Sequence, residues 1–459
     1  MRKITRATAI LGVAALAVSF GLANAGAATN PKTLTVWTWK QSEVSAIKKA
    51  GVQWGAKNNF KVKVSVYTPD DSYRTAIQAA AKSRTLPDIL SVWSQGYDWT
   101  LAEAGITRDL TADFPASWQK TFLPGVMSGI TLAKSRIDNS GDDPVTTLKS
   151  LKAGHFYQIP ILAGTPGVVF ARKSVLKKAG INPDVPPANW QEWVKQMTAT
   201  KKADPINGGL VTGLKVPETG YFWLYRPMAY AYLGKADFYG RQGTNAAPSW
   251  DSAKSIETLN LYDQLTDVWA PGSLALGIDE ADQAFAAGKA AWVVGGTFTL
   301  SSLATFGLDS KDISVFPVPA ATGGAYKKVA YTASPLIGAA ITTQSKNYKA
   351  SLSFLKYLTG VKGASGFAAT ALDLPATSLP LSALPNPLLK QLVGLMSTSK
   401  NASTAFSPND FSADPNAVGM PVAHDTAVGL AKLVDKSQSV ADLAKALADE
   451  YKAAWIAAK

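Results

Sequence analysis

The chain has 459 residues, 47% of them hydrophobic, no cysteine, and a formal net charge of +13. That length exceeds what one core fills and predicts two or more domains, and the hydrophobic share excludes a disordered chain. Without thiols there is no disulfide, thiolate metal site or thiol nucleophile, and with only His155 and His424 a histidine-built metal centre or a serine-histidine triad is not expected, so no metal or cofactor is called for.

Arg2, Lys3 and Arg6 precede an apolar run from about Ala7 to Leu22 and then Ala23-Asn24-Ala25, the pattern of a secretory signal with a small-residue cleavage site. Residues 1–27 are therefore read as a signal peptide; the run falls short of the roughly 20 residues that span a bilayer. Removing its three positive charges from +13 leaves +10. The Lys-Lys pairs at 48, 177, 201 and 327 are scattered and nowhere interleave with aromatics, so nucleic acid is not an expected partner. Export without a lipid-acceptor cysteine points to a periplasmic or cell-surface monomer that is not lipid-anchored.

Thr33 to Trp39 alternates at period two and predicts a strand, followed by a helix from about Ser42 to Lys57. Lys61 to Tyr67 is a second strand, Asp70-Asp71-Ser72 caps a helix running to Ser83, and Pro87 to Trp93 is a third strand, apolar enough to be buried. Strand-helix-strand-helix-strand is the pattern of a parallel sheet, whose ligands sit outside the carboxyl ends of the strands; that places Trp39 and Trp93 at the rim of one cleft. Asp88 is expected to fix a loop. Residues 111–151 are irregular. Two apolar runs, Tyr157 to Leu162 and Val168 to Phe170, then flank Ala163-Gly164-Thr165-Pro166-Gly167, which has hinge chemistry, although a hairpin turn has the same composition. Beyond it come a short helix from Lys173 to Gly180, a helix capped by Asn189 with Trp190, Trp193 and Met197 on a core face, and the aromatic run Tyr221 to Tyr225. A helix capped by Asp251, a short helix from Asp282 to Gly288 and a strand from Ala290 to Gly295 follow. Residues from Asn386 onward read as helical, with a capping box at Ser439-x-x-Asp442.

Three stretches together resemble the family-1 bacterial extracellular solute-binding proteins, the substrate-capturing subunits of ABC importers for sugars. They are Leu86-Pro87-Asp88-Ile89, the pair Tyr157-Gln-Ile-Pro160 and Phe170-Ala-Arg-Lys173, and the block from Ala284 to Phe298. The resemblance extends through Ile313 to Pro319, a strand from Ser334 to Thr342 and a helix from Asn347 to Leu358. It implies an α/β, two-lobed periplasmic-binding-protein fold of type II character, each lobe a mostly parallel sheet flanked by helices, with three interlobe crossings. Residues 28–162 and 334–374 would form lobe one, and 163–333 with 375–459 lobe two. The crossings would use Leu162, Gly164 and Thr165, then Thr332 and Ala333, then Pro375. Phe170, Ala171 and Phe298 depart from the family pattern, and no acid lies within Gly164 to Gly167, where a maltose-binding member carries a sugar-binding carboxylate; maltose itself is therefore not assumed.

A neutral sugar offers apolar faces and a rim of hydroxyls, so its site needs flat aromatic surface and a few fixed polar groups. The ligand-binding candidates are Trp39, Gln41, Trp93 and Gln95 on lobe one, and Tyr221, Trp223, Phe298 and His424 on lobe two, with Asp373 just before the third crossing. The expected function is capture of a mono- or oligosaccharide by lobe closure, with the permease subunits of an ABC importer as membrane partners and no bond broken. Two alternatives are an anionic solute such as a sugar phosphate or glycerol phosphate, which the basic charge favours, and a secreted carbohydrate-active enzyme. The enzyme would need paired carboxylates, and the acids Asp279, Glu280 and Asp282 sit at a helix start, where acids are ordinary.

Overall fold

The computed structural model describes residues 31–94, 96–138, 140–141, 147–241, 248–328, 330–384, 386–396, 405–406 and 420–457. The signal segment and Gln95 lie outside the described residues. In chain order the strands used below are β1 (Lys32–Thr38), β2 (Phe60–Val66), β3 (Ile89–Trp93), β4 (Ile159–Gly164), β5 (Pro166–Arg172), β6 (Leu210–Val211), β7 (Trp292–Gly296), β8 (Ile313–Pro317), β9 (Ala330–Tyr331) and β10 (Ser334–Ile341).

Two sheets, each with its own core, make the two lobes. The first has the order β2-β1-β3-β10-β4 and the second β6-β7-β5-β8. In each sheet one strand runs against the rest: β10 is antiparallel to β3 and β4, and β5 is antiparallel to β7 and β8. Both reversed strands begin just after the chain has come from the other lobe. A strand entering through the joint has to run away from it, whereas its neighbours run toward it, so the reversal follows from the path of the chain. β4 ends at Gly164 in the first sheet and β5 begins at Pro166 in the second. The stretch with hinge chemistry is thus a crossing and not a hairpin, since its two flanking strands belong to different sheets.

Lobe one follows the alternating pattern closely. In β1 Leu34 and Val36 point into the core, and helix α1 (Gln41–Asn58) lays Ala46, Ile47, Ala50 and Trp54 on the same core before Asn59 ends it in a left-handed conformation at φ 55°. Helix α2 (Asp70–Ser83) buries only Tyr73, Ile77 and Ala80, a narrow apolar stripe. It is not capped by its aspartates: Asp70 already lies inside it, and the Pro69 carbonyl accepts from the amides of Ser72 and Tyr73. Asp88 locks the sheet to the segment after β10, accepting from Thr35 N and Oγ1 (both 2.9 Å), Ser345 Oγ (2.7 Å) and Asn347 Nδ2 (3.2 Å).

In lobe two, helix α3 (Trp190–Ala203) is capped as expected, with the Asn189 side chain accepting from Glu192 N at 2.9 Å; Trp190, Trp193 and Met197 are wholly buried. Helix α4 (Ala253–Asp263) is capped by Ser252, which accepts from Ser255 N, and not by Asp251. Gly220–Tyr225 forms a π-helical turn, so Tyr221 and Trp223 fall on different faces of a helix instead of sharing a strand face. Helices α5 (Ile278–Ala286) and α6 (Thr299–Thr305) bracket β7.

The chain returns to lobe one at β10, is followed by helices α7 (Tyr348–Leu358) and α8 (Val361–Ala371), and leaves along the free edge of β4. Ala163 N donates to Leu374 O at 3.0 Å and Ala376 N to Ile161 O at 2.8 Å, with Leu162 bridged to Pro375. Pairing with lobe one continues through Ser378, whose amide donates to Thr121 O at 2.8 Å, four residues beyond the lobe-one limit expected from the sequence. No helix among the described residues is long and apolar enough to cross a membrane.

Candidate functional site

The carboxyl ends of β1 and β3 carry Trp39 and Trp93, and the two indoles stack on one another with centroids 3.6 Å apart and planes 25° from parallel. Trp39 is 8% exposed and Trp93 half-buried. Tyr73 on α2 lies 5.4 Å from Trp39 and 6.0 Å from Trp93, with its hydroxyl donating to Ser91 O at 2.8 Å; Tyr97 meets Trp93 edge-on at 5.4 Å. The Arg74 guanidinium lies over the Trp93 ring at 4.3 Å and over the Tyr97 ring at 4.4 Å. The lobe-one wall is therefore an aromatic stack faced by a cation.

At the carboxyl end of β7, Phe298 is half-buried and meets the half-buried Trp223 edge-on at 5.4 Å. These two rings are the lobe-two counterpart of the Trp39–Trp93 stack. Tyr221 is not part of it: its ring is fully buried, 6.0 Å from Tyr225, in the lobe-two core, and it leaves the ligand candidates because no surface remains to touch a solute. His424 stands exposed on lobe two with Nδ1 2.6 Å from Glu218 Oε1, which raises the imidazole above its ordinary pKa. Gln41 is exposed at the start of α1.

Between the walls the lobes touch through polar groups. Asp373 is fully buried; its Oδ1 accepts from Leu374 N at 2.8 Å, and its Oδ2 takes an ion pair from Lys40 and lies 3.2 Å from Ser301 Oγ of α6. Ser301 Oγ is also 3.3 Å from Ser42 Oγ on α1. With both oxygens engaged by protein groups, Asp373 ties the lobes together and is withdrawn as a ligand contact. Close by, Glu43 is buried with its Oε2 accepting from Thr38 Oγ1 at 3.3 Å and its Oε1 without a partner. Burial pushes its carboxyl up to about 7, Asp373 adds to the rise, and Lys40 offsets part of it. On α5, Asp282 is buried with Oδ2 unpartnered, and burial followed by the charge of Asp279 raises it well above the usual range. Asp70, at the start of α2, is raised by burial and next by Asp279 of the facing lobe, with Arg74 acting against both.

The residues read as hinge positions come together. Gly164 pairs with Ser334, the residue after Ala333, and Leu162 pairs with Pro375, so the three crossings run side by side. Thr165 is fully buried; its carbonyl accepts from Thr297 N at 3.0 Å, and its amide donates to Thr297 Oγ1 at 3.3 Å. A side chain at Gly164 would place Cβ 1.8 Å from Thr297 Oγ1. Thr332 is half-buried and Ala333 buried.

Sequence reasoning passed over Lys40, Ser42, Arg74, Tyr97 and Ser301. Lys40 and Ser42 had a usable signal, because they follow Trp39 at the carboxyl end of a strand. Arg74 and Ser301 had none: each sits on a helix face whose partner is far away in sequence.

The profile of a family described as bacterial extracellular solute-binding protein matches residues 38–365. The chain is similar to the sn-glycerol-3-phosphate-binding periplasmic protein UgpB of Salmonella paratyphi A, 24% identical over 321 residues that cover 68% of this chain and 67% of the relative. UgpB of Yersinia enterocolitica is 30% identical over 141 residues, covering 29% of this chain and 27% of that one. Among solved structures, a chitin oligosaccharide binding protein superposes with a TM-score of 0.65 at 16% identity, covering 93% of this chain and 100% of that one. Maltose-bound MalE3 of T. maritima gives 0.65 at 18%, covering 92% and 99%. A protein solved in work on xylan utilization by Caldanaerobius polysaccharolyticus gives 0.66 at 22%, covering 91% and 99%. At these identities the structures establish the two-lobed fold.

Proposed function

Because the chain belongs to the bacterial extracellular solute-binding protein family and is the solute-binding component of an ABC importer, we propose that its solute is a carbohydrate held between the two aromatic walls. The observation that carries this reading is an aromatic cluster on each lobe: Trp39 and Trp93 at the carboxyl ends of β1 and β3, and Phe298 just after β7 with Trp223 of the π-helical turn against it. The half-buried Trp223 and Phe298 suit an apolar face of the ligand, the Trp93 stack with the Arg74 guanidinium over it forms the facing lobe-one surface, and closure about the three crossings removes both from water. Binding and release involve no bond cleavage, and the protein acts as an exported monomer, without a lipid anchor, that delivers its ligand to permease subunits.

A second reading, glycerol phosphate, is favoured by the names of the UgpB relatives. A thermal-shift screen of neutral mono- and oligosaccharides, sugar phosphates and sn-glycerol 3-phosphate tests both, because a ligand bound only by the native state raises Tm. A shift with carbohydrates supports the first reading. A shift confined to glycerol phosphate replaces it with the second, and no shift with any carbohydrate refutes it.

A further inference from the structure

We infer that Arg74 is the specificity-determining residue of the lobe-one wall, donating hydrogen bonds to oxygens of a neutral, hydroxyl-rich ligand. The inference rests on the carbohydrate reading and deepens it. It starts from the two faces of Trp93. Trp39 occupies one face at 3.6 Å, and nothing else fits on that side; the Arg74 Cζ, 4.3 Å from the same centroid, therefore covers the opposite face. The Tyr97 ring is covered by the same guanidinium at 4.4 Å. A sugar ring entering from lobe two thus meets the guanidinium where a bare indole would otherwise be.

The Trp93 and Tyr97 rings stand 71° apart, so the guanidinium can lie flat on at most one of them and turns an edge to the other; its remaining N–H groups lie in its own plane, directed outward. Arg74 is exposed, and among the described residues no hydrogen bond or ion pair takes those N–H groups. They are donors held in place by two rings and left over for something else.

The surroundings decide the charge of that ligand. Asp70 lies one turn before Arg74 on α2 and feels both Arg74 and Asp279 of the facing lobe. Asp279 and Glu280 open α5, and Lys40 is committed to Asp373. A phosphate drawn to Arg74 would therefore also face Asp70 one turn away, with the negative charge of Asp279 acting on the same place. A hydroxyl suits both kinds of group, because its oxygen accepts from Arg74 and its proton goes to a carboxylate. On this basis the chain's +13 charge does not describe its cleft, and glycerol phosphate, the ligand in the relatives' names, is disfavoured.

Isothermal titration of the mature protein with glucose, galactose, xylobiose, maltotriose, N,N′-diacetylchitobiose and sn-glycerol 3-phosphate, in the wild type, Arg74→Gln and Arg74→Lys, tests this. The expected result is binding of a neutral carbohydrate that Arg74→Gln weakens at least tenfold. Arg74→Lys, which keeps the charge but loses the planar fork, weakens it at least threefold, and glycerol phosphate binds at least 100-fold more weakly than that carbohydrate. Unchanged carbohydrate affinity in Arg74→Gln overturns the role of Arg74 while leaving the carbohydrate reading intact. Glycerol phosphate binding at least as tightly as any neutral compound overturns the charge argument. No binding by any compound removes the carbohydrate reading, and the inference with it. Far-ultraviolet spectra and unchanged Tm of both variants show that the exposed substitution has not disturbed the fold.

Discussion

Replacing Glu43 by glutamine should change how stability depends on pH, in a direction set by burial. The carboxyl is 1% exposed, one oxygen has no partner, and its pKa rises from 4.5 to about 7. A carboxyl raised in the folded state binds its proton more tightly there than in the unfolded chain. Its stabilising contribution is therefore complete below about pH 4.5 and is lost as pH rises through 7. A shift of this size corresponds to about 3 kcal/mol. Glutamine carries no titrating proton, so the quantity to follow is wild-type minus Glu43→Gln unfolding free energy, measured by urea denaturation from pH 4.5 to 8.5. It should fall by about 3 kcal/mol across that range, or roughly 6–12 °C in relative Tm for a unit of this size. The fixed offset from the new amide cancels in the slope. A flat difference would refute the reasoning. A difference that grows with pH would mean that attraction to Lys40 outweighs desolvation and that Glu43 is an ion-pair partner.

Three further outcomes follow from named contacts. Asp88→Ala strips the acceptor from Thr35, Ser345 and Asn347, and should cost about 3–5 kcal/mol in denaturant unfolding while leaving ligand affinity unchanged in the folded protein; an affinity loss at constant stability would place Asp88 in the site. Gly164→Ala drives Cβ to 1.8 Å from Thr297 Oγ1 and 2.9 Å from Leu336 Cδ1, and should lower stability by about 1–3 kcal/mol, part of which Thr297→Ala restores; an undiminished Tm would show that the crossing has room the structure does not indicate. Ser301 has one hydroxyl proton and two acceptors, Phe298 O at 2.7 Å and Asp373 Oδ2 at 3.2 Å. Ser301→Ala removes about 1 kcal/mol of interlobe contact and should enlarge the ligand-free radius of gyration in small-angle scattering; an unchanged profile would mean the contact does not hold the lobes together.

What could be read in the sequence was what local pattern encodes. The alternation in β1 and β2, the Asn189 cap and the core face of Trp190, Trp193 and Met197 depend on neighbours within a few residues, so a single chain displays them. Composition marked Gly164 to Gly167 as a joint, but only the separation of β4 and β5 into two sheets distinguishes a crossing from a hairpin. Side-chain direction was the weak point. Tyr221 and Trp223 stand two apart in one aromatic run with nothing local to tell them apart, and a π-helical turn sends one into the core and leaves the other half-exposed. Asp373 was placed beside a crossing, where it does lie, but its role was hidden because Lys40, its ion-pair partner, is 333 residues away in the chain. Trp39 and Trp93 were placed at one rim by the carboxyl-end rule, yet that rule says nothing of the stack between them or of the arginine above it.

The joint and the site also share a residue, which bears on how closure would be transmitted. Thr297 closes a two-way contact with Thr165, its amide donating to the Thr165 carbonyl at 3.0 Å and its hydroxyl accepting from the Thr165 amide at 3.3 Å. The next residue is Phe298, whose carbonyl accepts from Ser301, and Ser301 reaches Ser42 and Asp373. A rotation at Thr165 therefore cannot leave Phe298 in place while the rest of lobe two moves. The proposed hinge drags the aromatic wall with it, and the same rotation makes or breaks the hydroxyl contacts of Ser301. Because Gly164 is the neighbour that lets Thr297 approach so closely, its missing side chain serves this coupling as well as backbone freedom.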